Sequence, residues 1–577
     1  MAAETTGRAL FTRQSSGLVR EVSVVNALFF NTAAFIGGGV GWYPVFYSLA
    51  FVPIGTFAWF TTYGWGAIIV GGAAVLLALI FASLTTVMPR SGGDYVFTSR
   101  IVPRVGPFLG WLEGWTLAFA SVAIIAFEVP IVVRNLQVTG RIIGIGTGNE
   151  FFVGANAWFT EAESGAVTGV PGFVAALIVL ALIAVIAFQP TRRFHRIITG
   201  LAVLGLLGTV VMFVLGMLTI TPENFAANLP IYANGVTVDQ LAAVAADGGL
   251  KADGLNLAPD SFAFIAGIVL LNYIGFQYSA YISGEIRGNV RRGTLIALLG
   301  ALLIAVLMNS VYTDWISFRL GLDGQVGWGA LYWGFFTDPA LPLGQPNSMP
   351  LSAVIATPGL WPIWTLVSVS VTLFPFLLCP VYVNFLSRMQ LAWSLDRQVP
   401  EWFGQVSERL RAPANAIFAA LFVAAIFALL QNFPILSSIG LGFLAPVDGK
   451  LNLVSTLWFS ILAAALTWIM PGVNALLVRW TRPDLVRDAP YASSLPILGA
   501  VWLVFAIVLY WYAGVSPILG FVGIGESESQ LDYLNRTGVT MTVLAFVAGI
   551  VIYLVQAARN RARGVDTSLM FKELPPD

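Results

Sequence analysis

From Val22 to Pro89 the chain runs for 68 positions without one Asp, Glu, Lys or Arg. Soluble domains carry about a quarter charged residues, so no soluble fold accommodates such a gap. One crossing of a bilayer takes about 20 apolar residues, and the gap holds two crossings and a turn. The rest of the chain agrees: 58% of its 577 residues are hydrophobic and 10% are charged, with a mean hydropathy of +0.83. The expectation is an all-α polytopic membrane protein with the lipid bilayer as its main partner. A net charge of zero gives no basis for a nucleic-acid partner. The lone cysteine, Cys379, excludes an intramolecular disulfide or a cysteine-built metal cluster.

Apolar runs predict twelve spans, near 23–47, 64–88, 106–133, 169–188, 197–220, 261–282, 294–318, 361–387, 415–432, 451–470, 495–513 and 539–557. Residues 1–22 and 558–577 are then tails, the first polar for too long to be a signal peptide. Of the 29 Lys and Arg residues, 23 fall in one set of alternating connections and six in the other. The positive-inside rule places the rich set, and both termini, on the cytoplasmic side of the cell membrane. Three longer connections on the other side, near 134–168, 221–260 and 319–360, are Gly-, Asn- and Asp-rich. The third carries Trp328, Tyr332, Trp333, Phe335 and Phe336, expected to anchor a solvent-side cap at the interface.

Two spans are interrupted. Span one contains "FIGGGVG", Phe35–Gly41, whose glycines each cost about 1 kcal/mol of helix stability relative to alanine. Span six contains "LNYIGFQY", with Gly275 beside Asn272, Tyr273 and Gln277. Non-helical backbone at membrane depth persists only where it is buried in protein or lines a polar cavity. The breaks are five spans apart, an odd number, so a repeat with that period is inverted. Paired interruptions in inverted halves point to a transport site at the bilayer midplane. N–H groups freed at one half-helix start attract a carboxylate, and carbonyls freed at a half-helix end attract an ammonium. The candidate substrate site is Ile36, Gly37, Gly38, Gly39, Val40 and Gly41 with Tyr273, Ile274, Gly275, Phe276 and Gln277. Phe276 and Tyr273 would border the side-chain pocket, with Tyr281 as a neighbour. The rival reading of the glycines is a small-residue packing face between helices.

Ionisable groups inside spans are costly and usually functional. Glu113 in span three is either a proton acceptor or the partner of Arg104 in the preceding loop. Glu128 pairs with Arg134 or faces water. Glu285 with Arg287 forms a cytoplasmic gate pair or a helix-end lock, and Asp314 with Arg319 an interfacial pair. Ser368, Ser370 and Thr372 offer oxygens to a sodium ion, or simply bond their own backbone. His195, among Arg192, Arg193 and Arg196, is expected in solvent. No cofactor and no metal site is expected; the coupling ion would be H+ or Na+.

At these residues the chain resembles the amino acid–polyamine–organocation permease superfamily. "FIGGGVG" is similar to its first-span glycine signature. "MPRSGGDYVFTSRIVPRVGPFLGWLEGW" resembles the stretch after span two, with Pro89, Gly92, Gly93, Tyr95, Gly114 and Trp115 on the family pattern. "GFQYSAYISGEIRGNVRR" resembles the sixth-span signature at Gly275, Phe276, Glu285, Arg287 and Arg291. There are departures. Gln277 stands where many members have Glu, Gly288-Asn289 replaces Asn-Pro, Gly41 replaces an aromatic residue, and span five lacks the lysine that some members carry.

The resemblance implies a five-plus-five inverted repeat over 23–470, with repeats of about 23–220 and 261–470 and broken helices one and six. Two additional C-terminal helices occupy 471–557. It implies a secondary transporter of amino acids or close amines that works by alternating access, with cation-coupled uptake. The lack of an ionised side chain beside either break favours neutral amino acids. Alternatives are an exchanger without ion coupling, or a sensor or channel of the same fold. One Cys, one His and no His-rich or carboxylate-rich motif argue against a membrane enzyme.

Overall fold

The computed structural model describes residues 16–35, 53–159, 169–258, 265–266, 268–270, 272–332, 348–444, 450–451, 453–487, 491–510, 530–565 and 570–575. The main helices are α1 (Val24–Phe35), α2 (Thr62–Val87), α3 (Asp94–Ile101), α4 (Gly106–Thr147), α5 (Gly169–Ala187) and α6 (Thr191–Thr219). They continue with α7 (Pro222–Tyr232), α8 (Val238–Asp247), α9 (Val290–Leu307), α10 (Thr313–Arg319), α11 (Leu322–Tyr332) and α12 (Met349–Ala356). The last are α13 (Trp361–Leu395), α14 (Ala414–Asn432), α15 (Leu453–Ala463), α16 (Ala465–Thr481), α17 (Leu495–Tyr510) and α18 (Gln530–Ala562). Among the described residues, nine helical stretches are long and apolar enough to cross a membrane. Val24–Phe35 and Leu495–Leu509 are shorter apolar helices.

α13 runs along α4 and α6, while α1 packs among α6, α9 and α13. α16 pairs with α17, and α15 with α18. α5 and α6 lie outside: only 33% of the most apolar window of each is buried, and Leu177, Ile178, Leu182 and Val185 are exposed. In a lipid solvent, apolar outward faces are the expected surface.

Helix α4 is 42 residues long, about 60 Å at 1.5 Å per residue and twice a hydrocarbon core of about 30 Å. The connection expected from 134 therefore starts as helix. Arg134, Asn135, Gln137 and Arg141 lower hydropathy without stopping helix formation, and the chain turns only at Gly148, with φ +66°. Likewise α16 runs unbroken through position 470, where the transport core was expected to end, and Pro471-Gly472 does not terminate it.

Beyond one end of the bundle, α7, α8, α11 and α12 form a cap. Trp328 is fully buried there and stacks on Phe225 with ring centroids 6.3 Å apart. It is a core residue of the cap rather than an interfacial anchor. The side chain of Tyr332, and residues Trp333, Phe335 and Phe336, lie outside the described set.

Asp314 does not pair with Arg319. It is buried and accepts from the Thr61 amide at 2.7 Å and the Thr61 hydroxyl at 2.9 Å. Thr61 in turn caps α2 by accepting from the Gly64 amide. Donors at a helix start have no partner within the helix, so a carboxylate reaching them from another span both satisfies and docks α2. One turn earlier, the π-helical segment Met308–Tyr312 presents Asn309, which accepts from the Tyr63 hydroxyl at 2.5 Å and the Asn272 amide at 3.0 Å.

Asp314→Ala leaves buried donors of Thr61 unmet, at a cost of about 1–3 kcal/mol. The thermal midpoint of the detergent-solubilised protein should fall, while Arg319→Ala leaves it near wild type. Equal midpoints for both variants would remove Asp314 from this role.

Candidate functional site

Span six unwinds where its sequence mixes glycine with polar side chains. The helical pattern ends with Ile274 donating to the Leu270 carbonyl at 3.0 Å. Tight turns follow, Phe276 to Tyr273 at 3.2 Å and Tyr278 to Gly275 at 3.0 Å. A 3₁₀ segment, Tyr278–Glu285, then completes the span. Gly275 has φ +109°, and a Cβ there would stand 2.5 Å from the Ala34 Cβ and 2.9 Å from its carbonyl carbon. Only glycine allows both this backbone conformation and this approach. The break of span six thus rests against the last turn of α1, directly before the Ile36–Gly41 run. Ile36, Gly37, Gly38, Gly39, Val40 and Gly41 lie outside the described residues.

Released backbone groups find side-chain partners. Asn31 of α1 accepts from the Ser279 amide at 2.6 Å and donates to the Ser279 hydroxyl at 3.0 Å. Gln277 accepts from the Gly275 amide at 3.2 Å, while its buried Nε2 has no hydrogen-bond partner. Buried polar groups are normally satisfied, so this amide is a free donor at the break. Tyr273 donates to the Ala67 carbonyl at 2.8 Å, and Phe276 packs 6.4 Å from the Trp468 ring. Tyr273, Ile274, Phe276 and Gln277 are all buried. Asn31 was invisible in sequence, because its partner lies 248 positions away.

The expected gate pair has a different cation. Glu285 receives two hydrogen bonds from Arg388, Nε at 2.9 Å and Nη2 at 3.0 Å, and neither side chain is exposed. Arg287 is exposed, and its backbone amide donates to the Val22 carbonyl at 2.9 Å. Val22 also donates to the Glu285 carbonyl at 2.9 Å, which ties the N-terminal segment to the end of span six. His195 is also buried rather than solvated: Arg192, Arg193 and Arg196 face outward, while the imidazole sits 5.2 Å from the Phe30 ring and 5.2 Å from that of Phe194.

Glu113 does not meet Arg104, which is exposed in its loop. Its carboxyl is fully buried and accepts from the Thr98 hydroxyl at 2.6 Å, with Asn474 donating to the same hydroxyl at 2.8 Å. Glu128 is buried rather than water-facing and lies within electrostatic reach of Cys379 and Tyr382 on α13. The hydroxyls of Ser368, Ser370 and Thr372 do not converge. Ser368 bonds Thr139 at 2.7 Å, Ser370 donates to the Leu204 carbonyl at 3.1 Å, and Thr372 donates to the Ser368 carbonyl at 2.7 Å. Among the described residues, no group of three or more His, Cys, Asp or Glu is placed to hold a metal.

The loop after span two locks onto span six from below. Gly93, at φ +52°, lies where a Cβ would be 2.7 Å from the Tyr281 ring. The Gly92 amide donates to the Tyr281 carbonyl at 3.3 Å, and the Tyr281 hydroxyl donates to Asp94. Tyr281 is therefore seated in this loop, between Gly93 and Asp94. Gly114 and Trp115 of the neighbouring motif have packing roles: Gly114 gives Trp393 room, and Trp115 donates to the Ala545 carbonyl of α18 at 2.9 Å.

Membrane-crossing helices around a span that unwinds beside a buried, unpaired amide point to a membrane transport protein. The family model described as amino acid permease matches residues 28–317. The branched-chain amino acid permease BcaP of Lactococcus lactis is 24% identical over 457 residues, covering 78% of this chain and 83% of that protein. The aspartate-proton symporter of Bacillus subtilis is 21% identical over 474 residues, 81% of this chain and 75% of its own length. The glutamate/serine transporter AimA of the same species is 22% identical over 467 residues, covering 77% and 70%. The chain belongs to the amino acid permease family, within the amino acid–polyamine–organocation superfamily, whose members are transporters and not enzymes.

Gly275→Ala should abolish saturable binding of amino acid to the purified protein without preventing membrane insertion. Ala34→Gly, added to it, removes the closest of the clashing atoms and should recover part of the binding. Wild-type affinity in Gly275→Ala alone would separate the break from the site.

Proposed function

We propose that the protein is a secondary active transporter of amino acids, neutral ones favoured, that works by alternating access with a coupled cation. The reading includes a five-plus-five inverted repeat over about 23–470, two further helices, and both termini in the cytoplasm. Its substrate site is Ile36–Gly41 facing Tyr273–Gln277. The observation that carries it is the Gly275 break seated on the end of α1 with the Gln277 amide free. Two N–H donors there suit a carboxylate oxygen, and helix-end carbonyls suit an ammonium. No charged residue occurs between Leu271 and Ala280 or between Val22 and Pro89, which supports a substrate without a charged side chain. The name of BcaP, a branched-chain amino acid permease, agrees with that preference.

Protons are the favoured ion. One relative is named as a proton symporter, Glu113 is a fully buried acid, and the three span-eight hydroxyls each bond elsewhere. Oxygen ligands for sodium must converge on one point, which these do not. Glu128 is the second acid to weigh for the same role.

Counterflow in proteoliposomes tests the carrier reading: unlabelled leucine inside should accelerate entry of labelled leucine. Entry that ignores internal amino acid, across all twenty tested, would mean a channel or a non-transporting protein. Gly38→Leu, which fills the expected backbone approach, should insert normally and lose counterflow; saturable counterflow at wild-type affinity would move the site elsewhere.

A further inference from the structure

Four side chains meet beneath the inner half of span six. Asp94 and Glu113 are both fully buried and lie within hydrogen-bonding reach of one another. Asp94 Oδ1 accepts from the Tyr281 hydroxyl and from the Tyr95 amide at 3.0 Å. Glu113 Oε2 accepts from Thr98 at 2.6 Å. That leaves Asp94 Oδ2 and Glu113 Oε1, which are buried and have no donor. Among the described residues, the groups facing the pair are Thr98 on α3, Tyr281 and Tyr278 on the 3₁₀ segment, and Asn474 on α16. None is a cation. Of the guanidiniums nearby along the chain, Arg90 donates to the Pro575 carbonyl at 2.7 Å, Arg100 is bidentate on Asp396 at 2.6 and 2.7 Å, and Arg104 is exposed.

Two carboxylates without a cation cannot both stay ionised in a dry pocket; one retains a proton, and the pair titrates as a unit. Burial pushes Asp94, which lies outside the spans, up to about 6, against the hydrogen bond from Tyr281 that pulls it down.

We propose that Asp94 and Glu113 together form the proton site of the transporter, holding one shared proton between Asp94 Oδ2 and Glu113 Oε1, and that Tyr281 reports its occupancy to span six. This rests on the transporter reading and gives it a second acid and a path to the broken helix. With the proton in place the pair is neutralised to a single negative charge and the loop holds Tyr281, closing the arginine-rich end. Opening that end lets water in, hydrates both carboxylates and releases the proton into the same compartment that receives the substrate. Tyr281 is a positioning residue: its hydroxyl favours ionised Asp94 and so eases proton release.

The test uses the full chain in proteoliposomes with labelled leucine, and takes the ratio of pH-gradient-driven accumulation to counterflow. One proton per substrate gives about tenfold accumulation for each unit of pH gradient. Asp94→Asn and Glu113→Gln should each bring accumulation to about unity, and the double variant should be no worse than either, since one shared proton is lost once. Tyr281→Phe keeps the ring in its Gly93 cradle and should move the pH midpoint of accumulation upward; a purely structural role would lower the rate and leave the midpoint unchanged. Asp94→Asn with wild-type accumulation would overturn the shared site even if Glu113→Gln is defective. Should the Asn variant not assemble, an unmoved midpoint in Tyr281→Phe overturns the proposal by itself. Failure of wild-type counterflow with any amino acid would instead strike at the transporter reading beneath it.

Discussion

Lipid supplies no hydrogen bonds, so every backbone group that span six releases on unwinding has to be met by protein. Most of the arrangement follows from that constraint. Asn31 meets Ser279, Gln277 meets Gly275, and the Gly92 amide meets the Tyr281 carbonyl. Two of these contacts fix a neighbour: α1 through Asn31, and the post-span-two loop through Gly92. A break with fewer partners would cost several kilocalories and rewind. The Gln277 side-chain amide is the exception, buried at the break without a partner.

Charge at the arginine-rich end is handled in a similar way. Arg388 is committed to Glu285 and Arg100 to Asp396, with the Tyr95 hydroxyl also donating to Asp396 at 2.6 Å. Buried ion pairs add little net stability, yet removing one partner is costly, so they fix which elements meet. The segment around 570–575 joins this layer. Phe571 covers Arg100 at 5.0 Å, the Glu573 carbonyl accepts from Arg100 at 3.3 Å, and the Pro575 carbonyl accepts from Arg90 at 2.7 Å. The end of span six, the loop after span two, α13 and the C-terminal segment are thereby one hydrogen-bonded assembly.

Much of the fold was legible in the chain, and the mistaken pairings share a cause. The spans follow from hydropathy, and the break at Gly275 from a helix-weakening residue among polar ones. Partners were misassigned wherever nearness in sequence stood in for nearness in space. Glu285 was matched with Arg287 two positions on, but its cation is Arg388, 103 positions away. His195 was placed in solvent because its neighbours are arginines. Helical periodicity turns those arginines out and the imidazole in, against Phe30. The end of α4 was misjudged for a different reason: hydropathy marks where a helix leaves lipid, not where it stops, and Gly148 stops it.

The sequence alone determined the solvent of this protein, the approximate place of its apolar segments, and where span six must yield. Those properties are sums over neighbouring residues, each contributing its own transfer free energy and helix propensity wherever it sits. The tertiary structure decided which acid meets which base, that Tyr281 bonds Asp94, and that Asp94 and Glu113 are buried together with no cation facing them among the described residues. Such pairings depend on the docking of elements tens to hundreds of residues apart. In a low-dielectric interior the energy of a charge is set by the groups within a few ångströms, whatever their distance along the chain.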